Sequence, residues 1–206
     1  MRSRQAGALV AVLLAACSAA ALAQKPQKFG GKEMIGKDLT GWKTRDARNG
    51  WRVENGVLIN AGPSSDLISE EKFWNFEMEY EYCVPPKGNS GVYLRGRYEI
   101  QILDDYGRGT SPGGNGSIYG QTVAKVNASK PAGEWQKVWV KLVGHTVNVK
   151  LNDQVIVENV TLTGPTGGAL DDKVNEPGPI MLQGDHGPIQ FRNIRIKRLP
   201  GEPPRP

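Results

Sequence analysis

Two short segments concentrate side chains able to do acid–base or hydrogen-bond chemistry. The first runs Asn89-Ser90-Gly91-Val92-Tyr93-Leu94-Arg95-Gly96 and continues through Tyr98-Glu99-Ile100-Gln101-Ile102-Leu103-Asp104. Side chains alternate faces along a strand, so Glu99 and Gln101 share one face while Ile100 and Ile102 take the other. A bulge at Ile102-Leu103 is predicted to return Asp104 to the face of Glu99. A carboxylate, an amide and a second carboxylate would then lie in line, with the mixture of donors and acceptors that sugar hydroxyls require. The plainer reading is a solvated face on which Glu99 and Arg95 form a surface ion pair.

The second segment is Met181-Leu182-Gln183-Gly184-Asp185-His186-Gly187. The chain has two histidines. His186, in a glycine-flanked loop beside Gln183 and Asp185, suits acid–base work or a metal. His145 follows Gly144 at a hairpin turn and reads as structural or solvent-exposed.

These groups must be positioned by strands, because the chain shows β patterns and almost no helical periodicity. Trp51-Arg52-Val53-Glu54, the Asn55-Gly56 turn and Val57-Leu58-Ile59 predict a hairpin. Phe76, Met78, Tyr80 and Tyr82 alternate with Glu77, Glu79 and Glu81, the pattern of a strand with one buried face. Further strands are predicted over 135–143, 146–151, 155–157, 180–183 and 189–199, the last with a change of apolar phase between Phe191 and Ile194 that a bulge would produce. Many short strands with Gly, Pro and Asn turns indicate an all-β sandwich or jelly roll, with a closed barrel as the alternative. Loops at 104–116 and 163–178 are long enough to border a site. Trp42, Trp51 and Trp135 read as packing residues.

The N-terminus carries an export signal, with Arg2 and Arg4 ahead of the apolar run 6–16, too short to span a membrane. Cleavage after Ala23 of Ala21-Leu22-Ala23 gives a periplasmic or secreted protein. Leu14-Ala15-Ala16-Cys17 also resembles a lipobox, and lipidation at Cys17 would tether the domain to a membrane. With Cys17 removed or lipidated, Cys83 has no intrachain partner, and it reads as a small core residue. The organisation predicted is a signal over 1–23, a lead segment over 24–38, one domain over 39–199 and a disordered tail over 200–206. The net charge of +5 falls to +3 once Arg2 and Arg4 leave, and the remaining charges are interspersed. That pattern argues against nucleic acid as a partner.

Taken in order, "DLTGW", "WRVENGVL", "NSGVYLRG", "YEIQILD", "GSIYG", "GEWQKVWV", "LND", "PIMLQGDHG" and "FRNIRIKRL" span about 41–199. In this the chain resembles the 3-keto-disaccharide hydrolase domain family, similar in fold to concanavalin-like lectins and glucanases. The resemblance implies a jelly-roll sandwich with its pocket on one sheet, acting on glycosides already oxidised at C3. It points to Arg95, Glu99, Gln101, Asp104, Gln183 and His186, and adds Asn89 and Tyr119, which read equally as turn and core residues.

A ketone at C3 acidifies the C2 hydrogen, so a base can remove it, the C1 substituent can leave, and water can add to the enone. Glu99 or His186 is the expected base, with Arg95 and Gln101, or a bound cation, stabilising the enolate oxygen. "EIQILD" also resembles the two-carboxylate strand of laminarinase-like glucanases, although Gln101 replaces its middle acid. Glu99 and Asp104 would be acid and nucleophile in that reading. No cofactor is implied; a divalent cation on Glu99, Asp104 and His186 is the alternative. A carbohydrate-binding module and a matrix domain without a small-molecule site are the non-enzymatic readings.

Overall fold

A computed structural model describes residues 29–204. The signal and lipobox expectations, Cys17 included, lie outside them. The described residues form strands and loops without a helix: β1 (Lys32–Glu33), β2 (Trp42–Thr44), β3 (Trp51–Glu54), β4 (Val57–Asn60), β5 (Leu67–Phe73), β6 (Phe76–Cys83), β7 (Asn89–Leu94), β8 (Tyr98–Leu103), β9 (Gln136–Val143), β10 (Thr146–Leu151), β11 (Gln154–Thr161), β12 (Gly178–Leu182) and β13 (Ile189–Arg198).

They make a two-layer jelly-roll sandwich. One sheet runs β11-β10-β9-β6-β13-β4-β3, with β1 added on β13, and the other runs β2-β5-β12-β7-β8. All pairings are antiparallel, which lets each sheet bury one face and leave the other free. The core lies between them. Phe76, Met78, Tyr80 and Tyr82 of β6 face Leu67, Val92, Ile100, Ile102, Ile180 and Leu182 from the smaller sheet, all within one cluster.

Local signals account for much of this. Asn55 and Gly56 take φ of 51° and 77°, the two left-handed residues that a type I′ hairpin between β3 and β4 requires. In β13 the register against β6 slips between Arg192 and Arg195, and Asn193 adopts φ 52°. This bulge lets both Phe191 and Ile194 point inward.

Three expectations change. β1 pairs with β13, and Ile35 joins the core, so the packed domain takes in residues ahead of 39. In the segment expected to be a free tail, Asn75 donates a 2.7 Å hydrogen bond to the Pro200 carbonyl. Cys83 is half-buried, not a core residue: the alternation that turns Tyr82 inward turns Cys83 outward. Burial still pushes its thiol pKa up. Trp42 and Trp51 are buried as expected, and Trp135 lies under the Arg192 guanidinium at 4.0 Å.

Candidate active site

The register of the five-stranded sheet assembles the site. Lys43 pairs with Ile68, Ile68 with Met181, Met181 with Tyr93, and Tyr93 with Glu99, forming one row on the face away from the core. In the next row Gly91 pairs with Gln101, and the Gln183 amide donates to the Gly91 carbonyl at 2.9 Å. Gly91 has a specific steric reason. A Cβ there would lie 2.3 Å from Glu99 Oε1, so the missing side chain is the space that the carboxylate occupies.

Loops roof this face. Leu170 packs on Ile68, Tyr93 and Met181, bringing the 163–178 segment over the sheet. The Thr166 hydroxyl accepts from the Glu99 amide at 3.0 Å and donates to the Arg97 carbonyl at 3.1 Å. The Tyr119 amide donates to the Glu99 carbonyl at 3.0 Å, which holds Tyr119 beside the same face. On the other side Asn60 Nδ2 donates to the Gly184 and Gly187 carbonyls, and the Gly184 amide donates to Asp66, fixing the turn that carries Asp185 and His186.

The result is a cleft of about 270 Å³ with Glu99, Gln101, Tyr93, Gln183, Tyr119 and His186 among its walls. Glu99 is 4% exposed. Burial raises its pKa to about 7, against the opposing pull of the Tyr93 hydrogen bond and of His186. Tyr93 Oη lies 3.0 Å from Glu99 Oε2 and 2.8 Å from the Gly167 carbonyl. Burial, then the Glu99 charge, pushes the phenol pKa upward, so it is a hydrogen-bond donor at neutral pH. Gln101 Nε2 donates to Asn89 Oδ1 at 3.0 Å. Gln183 Oε1 is buried without a partner among the described residues, an open acceptor for a ligand hydroxyl. His186 Nδ1 is 2.5 Å from Asp185 Oδ1, which leaves Nε2 as the ring nitrogen available to a ligand.

Glu99, His186, Gln101, Gln183, Asn89 and Tyr119 therefore meet around one cleft. Arg95 and Asp104 do not. Arg95 takes φ 54° at the start of the turn after β7, and this left-handed backbone swings its side chain off the strand face. Its guanidinium stacks 3.6 Å from the Trp74 ring and donates to the Trp74 and Gly144 carbonyls at the end of the sandwich. No ion pair with Glu99 forms; burial without an acid lowers the Arg95 pKa to about 10.

Asp104 fails for want of the predicted bulge. The β7–β8 register is unbroken from Asn89↔Leu103 to Leu94↔Tyr98. Asp104 then leaves the strand and accepts from the Lys87 amide at 2.8 Å, closing the turn before β7. The carboxylate pair of Glu99 and Asp104 is not assembled. Nor is the trio with His186, and among the described residues no group of three or more His, Cys, Asp or Glu is placed to hold a metal. The 104–116 loop contributes no wall to the cleft; Asp105 braces it from within, accepting from the Asn115 amide and from Asn127 and Ser129.

Tyr93 is the residue missed at the sequence level. Its signal was available, since Gly91 and Tyr93 alternate on the strand that hairpins onto Glu99 and Gln101, but an aromatic in a strand reads first as core. Asp66, which holds the Gly184 amide and faces Arg45, carried no local signal.

Comparison with known proteins agrees with this architecture. A protein of Bacteroides thetaiotaomicron named 3-keto-disaccharide hydrolase is 28% identical over 222 residues, covering 80% of this chain and 76% of that protein. A crystal structure from Parabacteroides distasonis, provisionally classed as a glycosyl hydrolase, superposes with a TM-score of 0.72 at 33% identity, covering 82% of this chain and 84% of that one. A second protein of that organism, classed in the same way, gives 0.65 at 27% identity, covering 82% and 98%. The sequence model of one domain family matches residues 30–197, from just ahead of β1 to the penultimate residue of β13, and by that match the chain belongs to the 3-keto-alpha-glucoside-1,2-lyase-like domain family.

Proposed function

We propose that this carbohydrate-active domain cleaves the glycosidic bond of glycosides carrying a ketone at C3, by elimination across C1–C2 followed by hydration. The observation that carries the reading is Glu99, a buried carboxyl with a pKa raised to about 7 at the floor of a cleft whose other polar side chains are amides, phenols, an imidazole and Asp185, the last engaged by His186. A base with that pKa is half ionised at neutral pH and strong enough to take an acidified C–H proton.

The C2–H electrons pass into the C2–C3 bond as the ketone becomes an enolate, and the proton goes to Glu99. Collapse of the enolate forms the C1–C2 double bond and expels the C1 oxygen. His186, oriented through Nδ1 by Asp185, supplies the proton from Nε2 of its imidazolium form to that oxygen and is left as the neutral imidazole. Water then adds to the enone. Gln101 and Gln183 take the enolate-stabilising place first expected of Arg95, with the open Oε1 of Gln183 accepting a sugar hydroxyl. Tyr119, 44% exposed at the rim, offers a ring face for the sugar or its substituent.

The direct two-carboxylate mechanism loses its strand-borne pair, because Asp104 faces Lys87. The test is incubation of the protein with a glucoside and with its 3-keto derivative, following aglycone release and enone absorbance. Release from the keto compound alone is expected. Release from the unoxidised glucoside would overturn the elimination.

A further inference from the structure

The Tyr93 hydroxyl has one proton and two close acceptors, Glu99 Oε2 at 3.0 Å and the Gly167 carbonyl at 2.8 Å. Both can be satisfied only when Glu99 is itself protonated and donates to the phenol oxygen, leaving the phenol proton for Gly167. When Glu99 is ionised it claims that proton. The Gly167 carbonyl then faces a lone pair at hydrogen-bond distance.

The local backbone contains the remedy. Residues 166–169 form a β-turn closed by the Ala169 amide donating to the Thr166 carbonyl at 3.3 Å, with Gly168 at φ 79°. A positive φ at the third position alone defines a type II turn. Type I differs chiefly by rotation of the central peptide and needs φ of about −90° there. Glycine accepts both. Rotation replaces the Gly167 carbonyl with the Gly168 N–H as the group facing Tyr93. The chain of bonds then runs in reverse, from Gly168 N–H to the phenol oxygen and from the phenol proton to the Glu99 carboxylate. Gly168 is also required sterically, since a Cβ would stand 2.6 Å from Tyr93 Oη.

We infer that Tyr93 is a positioning residue that couples the protonation of Glu99 to the orientation of the Gly167–Gly168 peptide, so that proton transfer to Glu99 reverses the hydrogen bonds in the wall of the cleft. The turn is tethered on both sides, by Thr166 to the Arg97 carbonyl and by Arg45 to the Gly168 and Ala169 carbonyls, so the rotation is confined to one peptide. This rests on the role given to Glu99 above: the wall would take one form before C2 proton abstraction and the other while the enone is held.

The other ionisable groups near the pair are Asp66 with Arg45 from the sheet edge, Asp185 and His186 from the turn after β12, and Tyr119 from the segment beside β8. Asp171 of the roofing loop is engaged by Arg97.

The test is an NMR titration of the 13C,15N-labelled protein without substrate, following the Glu99 carboxyl carbon, the His186 ring and the Gly168 amide from pH 4 to 9, a span on either side of the Glu99 value of about 7. The Gly168 amide is expected to shift with the midpoint of Glu99. In Glu99→Gln it stays at its acid position throughout, because the amide nitrogen donates to Tyr93 as the protonated acid does. In Tyr93→Phe it stops responding while Glu99 still titrates. A Gly168 amide that is flat in the native protein, that follows His186 instead, or that responds unchanged in Tyr93→Phe overturns the inference. Absence of turnover on keto glycosides would overturn the proposed reaction and leave this titration intact.

Discussion

Strands β6 and β8 both alternate polar with apolar residues, three glutamates on β6 and Glu99 with Gln101 on β8, yet their outer faces become different surfaces. On β6, Glu77, Glu79 and Glu81 are flanked by cations from both neighbouring strands, with Lys141 and Lys137 at 3.8 and 3.7 Å and Arg192 at 2.7 Å. That face is a ladder of half-buried ion pairs. On β8 the pairing partner of Glu99 is Tyr93, the strand beyond supplies Met181, and a loop closes over the row. The lesson is that a carboxylate gains chemistry when its neighbours deny it both water and a cation, which raises its pKa.

The sharpest way to break this contrast is Glu99→Gln. We expect release from 3-keto glycosides to fall by about 10²–10⁴-fold, the range for loss of a general base. In the native protein kcat/KM should rise with pH through about 7, because the base acts ionised. Stability should move the opposite way. The folded state favours the protonated carboxyl, so its contribution is fully present below the ordinary value of 4.5 and is lost as pH rises through about 7. Thermal melts at pH 4 and 9 check the sign, since Glu99→Gln should lack that decline.

Gly91→Ala tests the space that Glu99 occupies. The new methyl would meet the mobile end of the glutamate, so the fold should survive while the carboxylate is displaced. A misplacement of about 1 Å can cost on the order of 10²-fold in rate, read as lower kcat with little change in melting temperature.

Arg95→Ala separates the two ends of the Asn89–Gly96 motif. It removes a buried stack on Trp74 and two hydrogen bonds, so a loss of about 2–4 kcal/mol is expected in urea unfolding. KM of the folded fraction should not change. A raised KM would return Arg95 to the site.

Glu79→Gln probes the other surface. Its partner Lys137 stands 3.7 Å away with both side chains partly solvated, so stability should change by less than about 1 kcal/mol and turnover should be unaltered.

The sequence by itself determined what depends on near neighbours. Alternation set the inward residues of β6 and placed Glu99 with Gln101 on one face. Asn55-Gly56 set a hairpin, and the phase change from Phe191 to Ile194 set the bulge in β13. Each follows from steric and hydrogen-bond rules acting over a few residues. Only the tertiary structure decided that Arg95 turns away from the face, that Asp104 closes a turn instead of rejoining Glu99, and that Tyr93 rather than Arg95 touches the Glu99 carboxylate. Those outcomes depend on one left-handed backbone angle, on an unbroken register and on the roof supplied from residues 166–170. The chemistry of Glu99 comes from that roof, because burial is a property of segments brought together from 67 residues away or more, which alternation along one strand cannot record.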